Sequence, residues 1–170
     1  DYISMLEYAK KAYELDSENV QIAGHYFLAL LMNKRFDQAE ELLNNSNFID
    51  KLSDDKKNNL FFKYHYYQEN YIKALVYSNK LKNKNFELEA LIFAKLADTV
   101  QTYRILNNHV FGYGQKARVF AILKQKDSMY YYLNKLGPLD CLTINDKEEF
   151  DPYRNEPEFK AFLRENYFPD

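Results

Sequence analysis

Apolar positions along this chain keep a helical beat broken at short intervals. In "VQIAGHYFLALLMNKRFDQAEELL", Ala23, Tyr26, Phe27 and Leu30 recur at i, i+3, i+4 and i+7, the stripe of an amphipathic helix. Asn33-Lys34-Arg35 interrupts the stripe, and Phe36, Ala39 and Leu43 restart it. Two helices joined by so short a turn are predicted to lie antiparallel and face each other. The segment "FFKYHYYQENYIKAL", residues 61–75, has the same grammar. Leu60, Phe61, Tyr64 and His65 share one side, the turn falls at Glu69-Asn70, and Tyr71 and Ala74 stand where Phe36 and Ala39 stood. Its rings therefore read as mostly interior rather than as a platform for stacking flat ligands. The small residue three places after the aromatic recurs 35 residues on (74 − 39), and the frame reaches back 34 residues to Met5 (39 − 5). Those are repeat periods.

Two looser hairpins follow. Phe86, Ala90, Phe93, Ala94 and Ala97 make one helix, Asp98 turns it, and Thr99, Tyr103 and Leu106 continue on the next. Tyr113, Ala117, Phe120 and Ala121 make another stripe with Leu123 at its edge. Lys124 breaks that period, Gln125-Lys126-Asp127 is the predicted turn, and Met129, Tyr132, Leu133 and Leu136 close the pair. "GPLDCLTIND", residues 137–146, has no period and reads as a loop. In "FDPYRNEPEFKAFL" a short turn containing Pro152 leads to a helix that Asn155 opens, with Glu158 at capping-box spacing and Phe159, Phe162 and Leu163 as its buried side. The expected organisation is a helical array over 1–136, about four helix pairs with the first truncated, and a loop with a capping helix over 137–170.

Composition narrows the class further. The 170 residues are 46% hydrophobic and 28% charged with only four Gly and four Pro, too little turn chemistry for a sandwich or barrel. A net charge of -2 and a pI near 6.0 give no general pull on a polyanion, so no nucleic acid is expected. The single Cys141 excludes an internal disulfide. No apolar run approaches the roughly 20 residues needed to cross a bilayer, so no membrane insertion is expected. The chain opens at Asp1 inside a helical pattern, which reads as a piece of something longer with room for an upstream effector domain. The compartment stays open.

"YAKKAYELDSENVQIAGHYFLALLMNKRFDQAEELL" resembles tetratricopeptide repeats, with "RFDQAEELL" as the second helix of a unit. The resemblance covers residues 2 to about 82 well and 83–136 loosely. The tail "DPYRNEPEFKAFL" looks like the closing segment after the last repeat of many bacterial members. It implies an all-α solenoid of antiparallel helix pairs whose first helices line a groove that holds a peptide or partner protein, without catalysis or cofactor. Phe27 and Phe62 stand where the family wants a small residue, which implies wider helix spacing, and Ser17 replaces the usual linking Pro. On the first helix of the second repeat, the side opposite Phe61 carries Asn59, Lys63 and Tyr66, flanked by Lys56 and Tyr67. Residues three and four apart are helical neighbours, and in such an array that side would face the groove. An Asn amide grips a backbone, Lys meets a carboxylate and Tyr supplies rigid area. A solvated polar face fits the same residues. Gln21, Leu28 and Arg118 are the candidates from the other first helices. The Lys and Asn order used by chaperone-binding members is absent, since Gly24 and Leu28 occupy the matching places.

Other chemistry reads as structural. His25, His65 and His109 lie on separate elements, and only His65 has a carboxylate at i+4, Glu69, with no third ligand. Cys141 lacks a nucleophile motif. "DKEEFD", residues 146–151, lacks the glycine and spacing of a calcium loop, and Gly112-Tyr113-Gly114 lacks the rest of a phosphate loop. Arg154 is expected to bridge to an acidic group on the last repeat. A protein-interaction module leads, a regulatory segment of a larger signalling or transcription-regulatory protein is the alternative, and a helical RNA binder stands behind both.

Overall fold

The computed structural model describes residues 2–141, 144 and 146–167, and among these all regular structure is helical. The chain forms two units, Asp1–Lys84 and Asn85–Asp170. The first contains α1 (Tyr2–Leu15), α2 (Val20–Met32), α3 (Phe36–Leu43), the single turn α4 (Ser46–Ile49), α5 (Asp54–Tyr67) and α6 (Tyr71–Ser78). The second contains α7 (Phe86–Lys95), α8 (Thr99–Asn108), α9 (Tyr113–Ile122), α10 (Lys126–Leu133), the short α11 (Pro138–Cys141), a 3-10 segment (Glu148–Tyr153) and α12 (Pro157–Tyr167).

Four times the chain reverses through one turn. Lys34, Glu69, Ala97 and Lys124 have φ between 56° and 60°, the left-handed conformation. Each donates its N–H to the carbonyl three residues back (Leu31, Tyr66, Ala94, Ala121), and the next residue donates to the carbonyl five back (Leu30, His65, Phe93, Phe120), at 2.8–3.1 Å. This is the Schellman closure, which satisfies the last carbonyls of the first helix. It joins α2 to α3, α5 to α6, α7 to α8 and α9 to α10, and each pair packs together. The first helices α2, α5 and α7 start on side-chain caps: Asn19 Oδ1 accepts from the Gln21 N–H (3.0 Å), Ser53 Oγ from Lys56 (3.4 Å) and Asn85 Oδ1 from Leu88 (3.1 Å).

The common turn sets a common register. Five residues after the left-handed residue stand Ala39, Ala74, Thr102 and Met129, and seven before it Phe27, Phe62, Ala90 and Ala117; all eight are at 0% exposure. Bulk at one position goes with a small residue at the other: Phe with Ala in the first unit, Ala with Thr or Met in the second. Phe27 and Phe62 are thus accompanied by alanines across the hairpin. Met5, in the same series by the 34-residue frame, is 36% exposed.

In the first unit, α2 and α3 build the core with Phe27, Leu30, Leu31, Ala39, Leu42 and Leu43, joined by Phe48 and Tyr64, while Leu6, Ala9 and Tyr13 of α1 pack against it. Each fully buried Phe or Leu contributes about 1.5–3 kcal/mol of transfer free energy. Asn33 Nδ2 donates to the Tyr2 carbonyl at 2.8 Å, tying the start of α1 to the end of α2. The rings of residues 61–77 stack among themselves: Phe61 and His65 both lie against Tyr77, at 5.1 and 5.4 Å between centroids.

In the second unit α7 packs on α8 and α9, and α9 on α10 and the 3-10 segment. Phe150 and Phe159, both at 0% exposure, stack at 5.6 Å. Several expectations shift here. Ala97 is the turn residue rather than part of the α7 stripe, because the helix ends at Lys95. α8 opens at Thr99 after the Asp98 cap as expected, but Thr99 and Tyr103 face outward and the buried stripe is Thr102, Ile105 and the expected Leu106. Lys126 and Asp127 lie in the first turn of α10, since the reversal is completed at Gln125. Residues 138–141 form a helical turn within the expected loop; Leu142, Thr143 and Asn145 of that stretch lie outside the described residues. The last helix begins at Pro157 rather than at Asn155, the first helical position being where a missing N–H costs nothing. Arg154 pairs with Asp151 beside it, Nε to Oδ1 at 2.6 Å.

Candidate functional site

The expected site residues recur at common register positions of their hairpins. Leu28, Lys63 and Arg118 each stand six residues before the left-handed residue of their hairpin. Gln21 and Lys56 share a register position, as do Gly24 and Asn59 and as do Leu31 and Tyr66. Gln21, Leu28, Lys56, Asn59, Lys63, Tyr66 and Tyr67 lie in the first unit, on α2 and α5, and Arg118 lies in the second, on α9.

In the first unit α2 packs on α5. On these helices Gln21, Lys56 and Asn59 are exposed, Leu28, Lys63 and Tyr67 are half-buried, and Tyr66 is buried at 9%. Tyr66 makes edge and tilted contacts with Tyr67 and Tyr71, at 5.4 and 6.3 Å, so it supports the face from below. A Cβ added at Gly24 would meet nothing within 4 Å, which leaves an open spot on α2. Burial pushes the Lys63 ammonium below its ordinary pKa, because the charged form loses hydration. No ion pair to Lys63 exists among the described residues.

In the second unit the same first-helix position is closed. Arg118 on α9 forms ion pairs with Glu87 of α7 and, at 2.7 Å, with Glu149 of the 3-10 segment. The Arg118 and Glu149 side chains are only 14% and 2% exposed. Gln115 Nε2 also donates to Glu87 at 2.7 Å while its Oε1 accepts the Gly112 N–H that opens α9. The 3-10 segment is pinned twice more: Lys95 Nζ to Glu148 at 2.8 Å and Tyr153 Oη donating to the Ala121 carbonyl at 2.8 Å. The buried Glu149 Oε2 has no hydrogen-bond partner among the described residues, an expensive state for a carboxylate oxygen. Beside the cluster lies a cavity of about 520 Å³ lined by Glu87, Tyr113, Gln115, Arg118, Leu136 and Lys147, among others.

Arg118 was legible as a first-helix position, but its partners were not. Glu149 reads in sequence as one more solvated acid in "DKEEFD", and only the fold carries it onto α9. His25 is exposed, and His109 stacks on Phe86 with centroids 3.5 Å apart. Cys141 is buried, and burial and the neighbouring Asp140 push its thiol pKa up, the reverse of what a nucleophile needs. Among the described residues no group of three or more His, Cys, Asp or Glu could hold a metal ion, and no helix is long and apolar enough to cross a membrane. No protein-family model, no curated protein and no solved structure matches this chain.

Proposed function

We propose that this chain is a non-catalytic scaffold of the tetratricopeptide type, whose helix pairs stack as a solenoid and whose first-helix face on α2 and α5 holds a peptide or a partner protein. The observation that supports this reading most is the repetition of one turn and one register through four hairpins. Repetition of this kind aligns the outward residues of successive first helices. On α2 and α5 those residues are Gln21, Leu28, Lys56, Asn59, Lys63 and Tyr67: amide, apolar, cationic and aromatic groups suited to an extended chain.

The test is an unbiased selection of displayed random peptides on the full chain, followed by titration of the enriched sequences. The reading expects binding that weakens at least tenfold in Asn59→Ala or Lys56→Ala with far-UV circular dichroism unchanged. Enriched peptides indifferent to every substitution on this face, or no enrichment at all, would overturn it.

A further inference from the structure

The closed face of the second unit tells what the open face of the first lacks. Arg118 is held by two carboxylates, one from the preceding first helix and one from a following segment. Lys63 occupies the same register place on α5, and both carboxylates are missing. Glu87 stands ten residues before Ala97; ten before Lys34, on α2, stands Gly24, with open space at its Cβ. No described acidic segment pairs with Lys63 as Glu149 pairs with Arg118. The segment that supplies Glu149 has a definite chemistry: "EEFDPY", two acids followed by Phe150, which is at 0% exposure, and Tyr153 at 4%.

We propose that the α2 and α5 face takes an acidic segment of a partner protein with an aromatic residue close behind its acids, one carboxylate seating on the Lys63 ammonium beside Gly24. This rests on the peptide-binding reading and narrows it. The half-buried Lys63 has paid part of its desolvation without a counter-charge, so an arriving carboxylate gains more there than at a hydrated surface lysine. Lys56, about two helical turns away on α5, adds a second positive charge, and the Asn59 amide, exposed between them, offers both a donor and an acceptor to a backbone. Half-buried Leu28 and Tyr67 supply apolar area for the ring that follows the acids. The chain's own 3-10 segment is the pattern for this partner, already bound in cis on α9.

The probe is a fluorescein-labelled peptide of residues 146–155, DKEEFDPYRN, titrated by anisotropy against the full chain, beside the same peptide with Glu148 and Glu149 replaced by Gln. Saturable binding is expected for the first peptide and at least tenfold weaker binding for the second. Lys63→Met is expected to weaken the first peptide at least tenfold. Gly24→Glu, which restores the carboxylate found at Glu87, is expected to do the same by neutralising Lys63 in cis. Both sites are half-exposed rather than in the core, and circular dichroism confirms folding. Absence of binding, equal binding of the two peptides, or binding untouched by Lys63→Met overturns the proposal. That last result is also what exchange onto the α9 face would give. If selection yields peptides that need Asn59 yet carry no acids, the narrower inference falls and the scaffold reading stands.

Discussion

Lys34, Glu69, Ala97 and Lys124 hold the left-handed conformation without being glycine, and replacing each by Gly tests the turn that organises both units. An L-residue there costs about 1–2 kcal/mol from the clash of Cβ with the backbone carbonyl. Glycine removes that cost but surrenders about 0.5–1 kcal/mol through the greater freedom of its unfolded chain. The net gain for Ala97→Gly, where no charge changes, is about 0.5–1 kcal/mol. Charge then splits the series, because each residue sits at the negative end of a helix. Glu69 is repelled there, and losing it adds about 0.3–1 kcal/mol, while Lys34 and Lys124 are attracted and losing them subtracts as much. The expected order is Glu69→Gly above Ala97→Gly above Lys34→Gly and Lys124→Gly, the last two near neutral. Urea unfolding followed by far-UV circular dichroism measures it, with the slope expected to stay constant. High salt should draw the four values together. A destabilising Ala97→Gly, or Lys124→Gly above Glu69→Gly, would refute the reasoning.

Three further outcomes are expected. Phe62→Ala, at a fully buried position, should cost about 3–5 kcal/mol, and adding Ala74→Met should recover part of it, because Ala117 with Met129 fills the same register pair; no recovery by urea unfolding would deny the complementarity. Arg118→Met should destabilise by about 3–5 kcal/mol, since it strands the buried Glu149 carboxylate, whereas Arg118→Met with Glu149→Leu should restore most of the loss; a double variant no better than the single counts against it. His65 is pushed below its ordinary 6.5 by burial and then by the Lys73 charge, so the unfolded chain takes up its proton first. Its contribution is full above about pH 6.5 and is lost as pH falls through the depressed folded value; a pH series of urea midpoints should flatten in His65→Gln, and an unchanged slope would exclude the residue.

The hairpins were legible where aromatic and small residues alternate at strong contrast. Phe36 with Ala39 and Tyr71 with Ala74 announce the second helix, and the structure buries both alanines completely. The frame blurs after residue 82 because the turns draw together, from 35 residues apart (69 − 34) to 28 (97 − 69) and 27 (124 − 97). The links from second helix to next first helix shrink: α4 fills the one between α3 and α5, while only four residues separate α8 from α9. Thr102 and Met129 then take the place of the alanines, so the small-residue mark vanishes although the position stays at 0% exposure. The turns themselves hid in Lys, Glu and Ala, since Gly or Asn is the usual mark of a left-handed cap. At the site, Lys56 and Asn59 stand exposed and Lys63 half-exposed on α5. Tyr66 is buried, because the turn of α5 rotates it toward Tyr71 of α6.

The two faces differ in what their cations have given up. A buried ion pair is a poor source of stability, since desolvating both charges offsets most of their attraction. Arg118 with Glu87 and Glu149 is therefore better understood as fixing where residues 148–153 lie than as holding the second unit together. Phe150 and Tyr153 supply the apolar burial, and the charges select the register in which they are buried. Lys63 has the opposite balance: partly desolvated, unpaired among the described residues, and on the helix packed against α2, where Gly24 leaves an open spot. A surface lysine left in that condition loses little by binding an acid, while a partner lacking one would leave it buried and uncompensated. If the α2 and α5 face takes the acidic partner proposed above, its specificity comes from that penalty on the wrong partner more than from attraction to the right one.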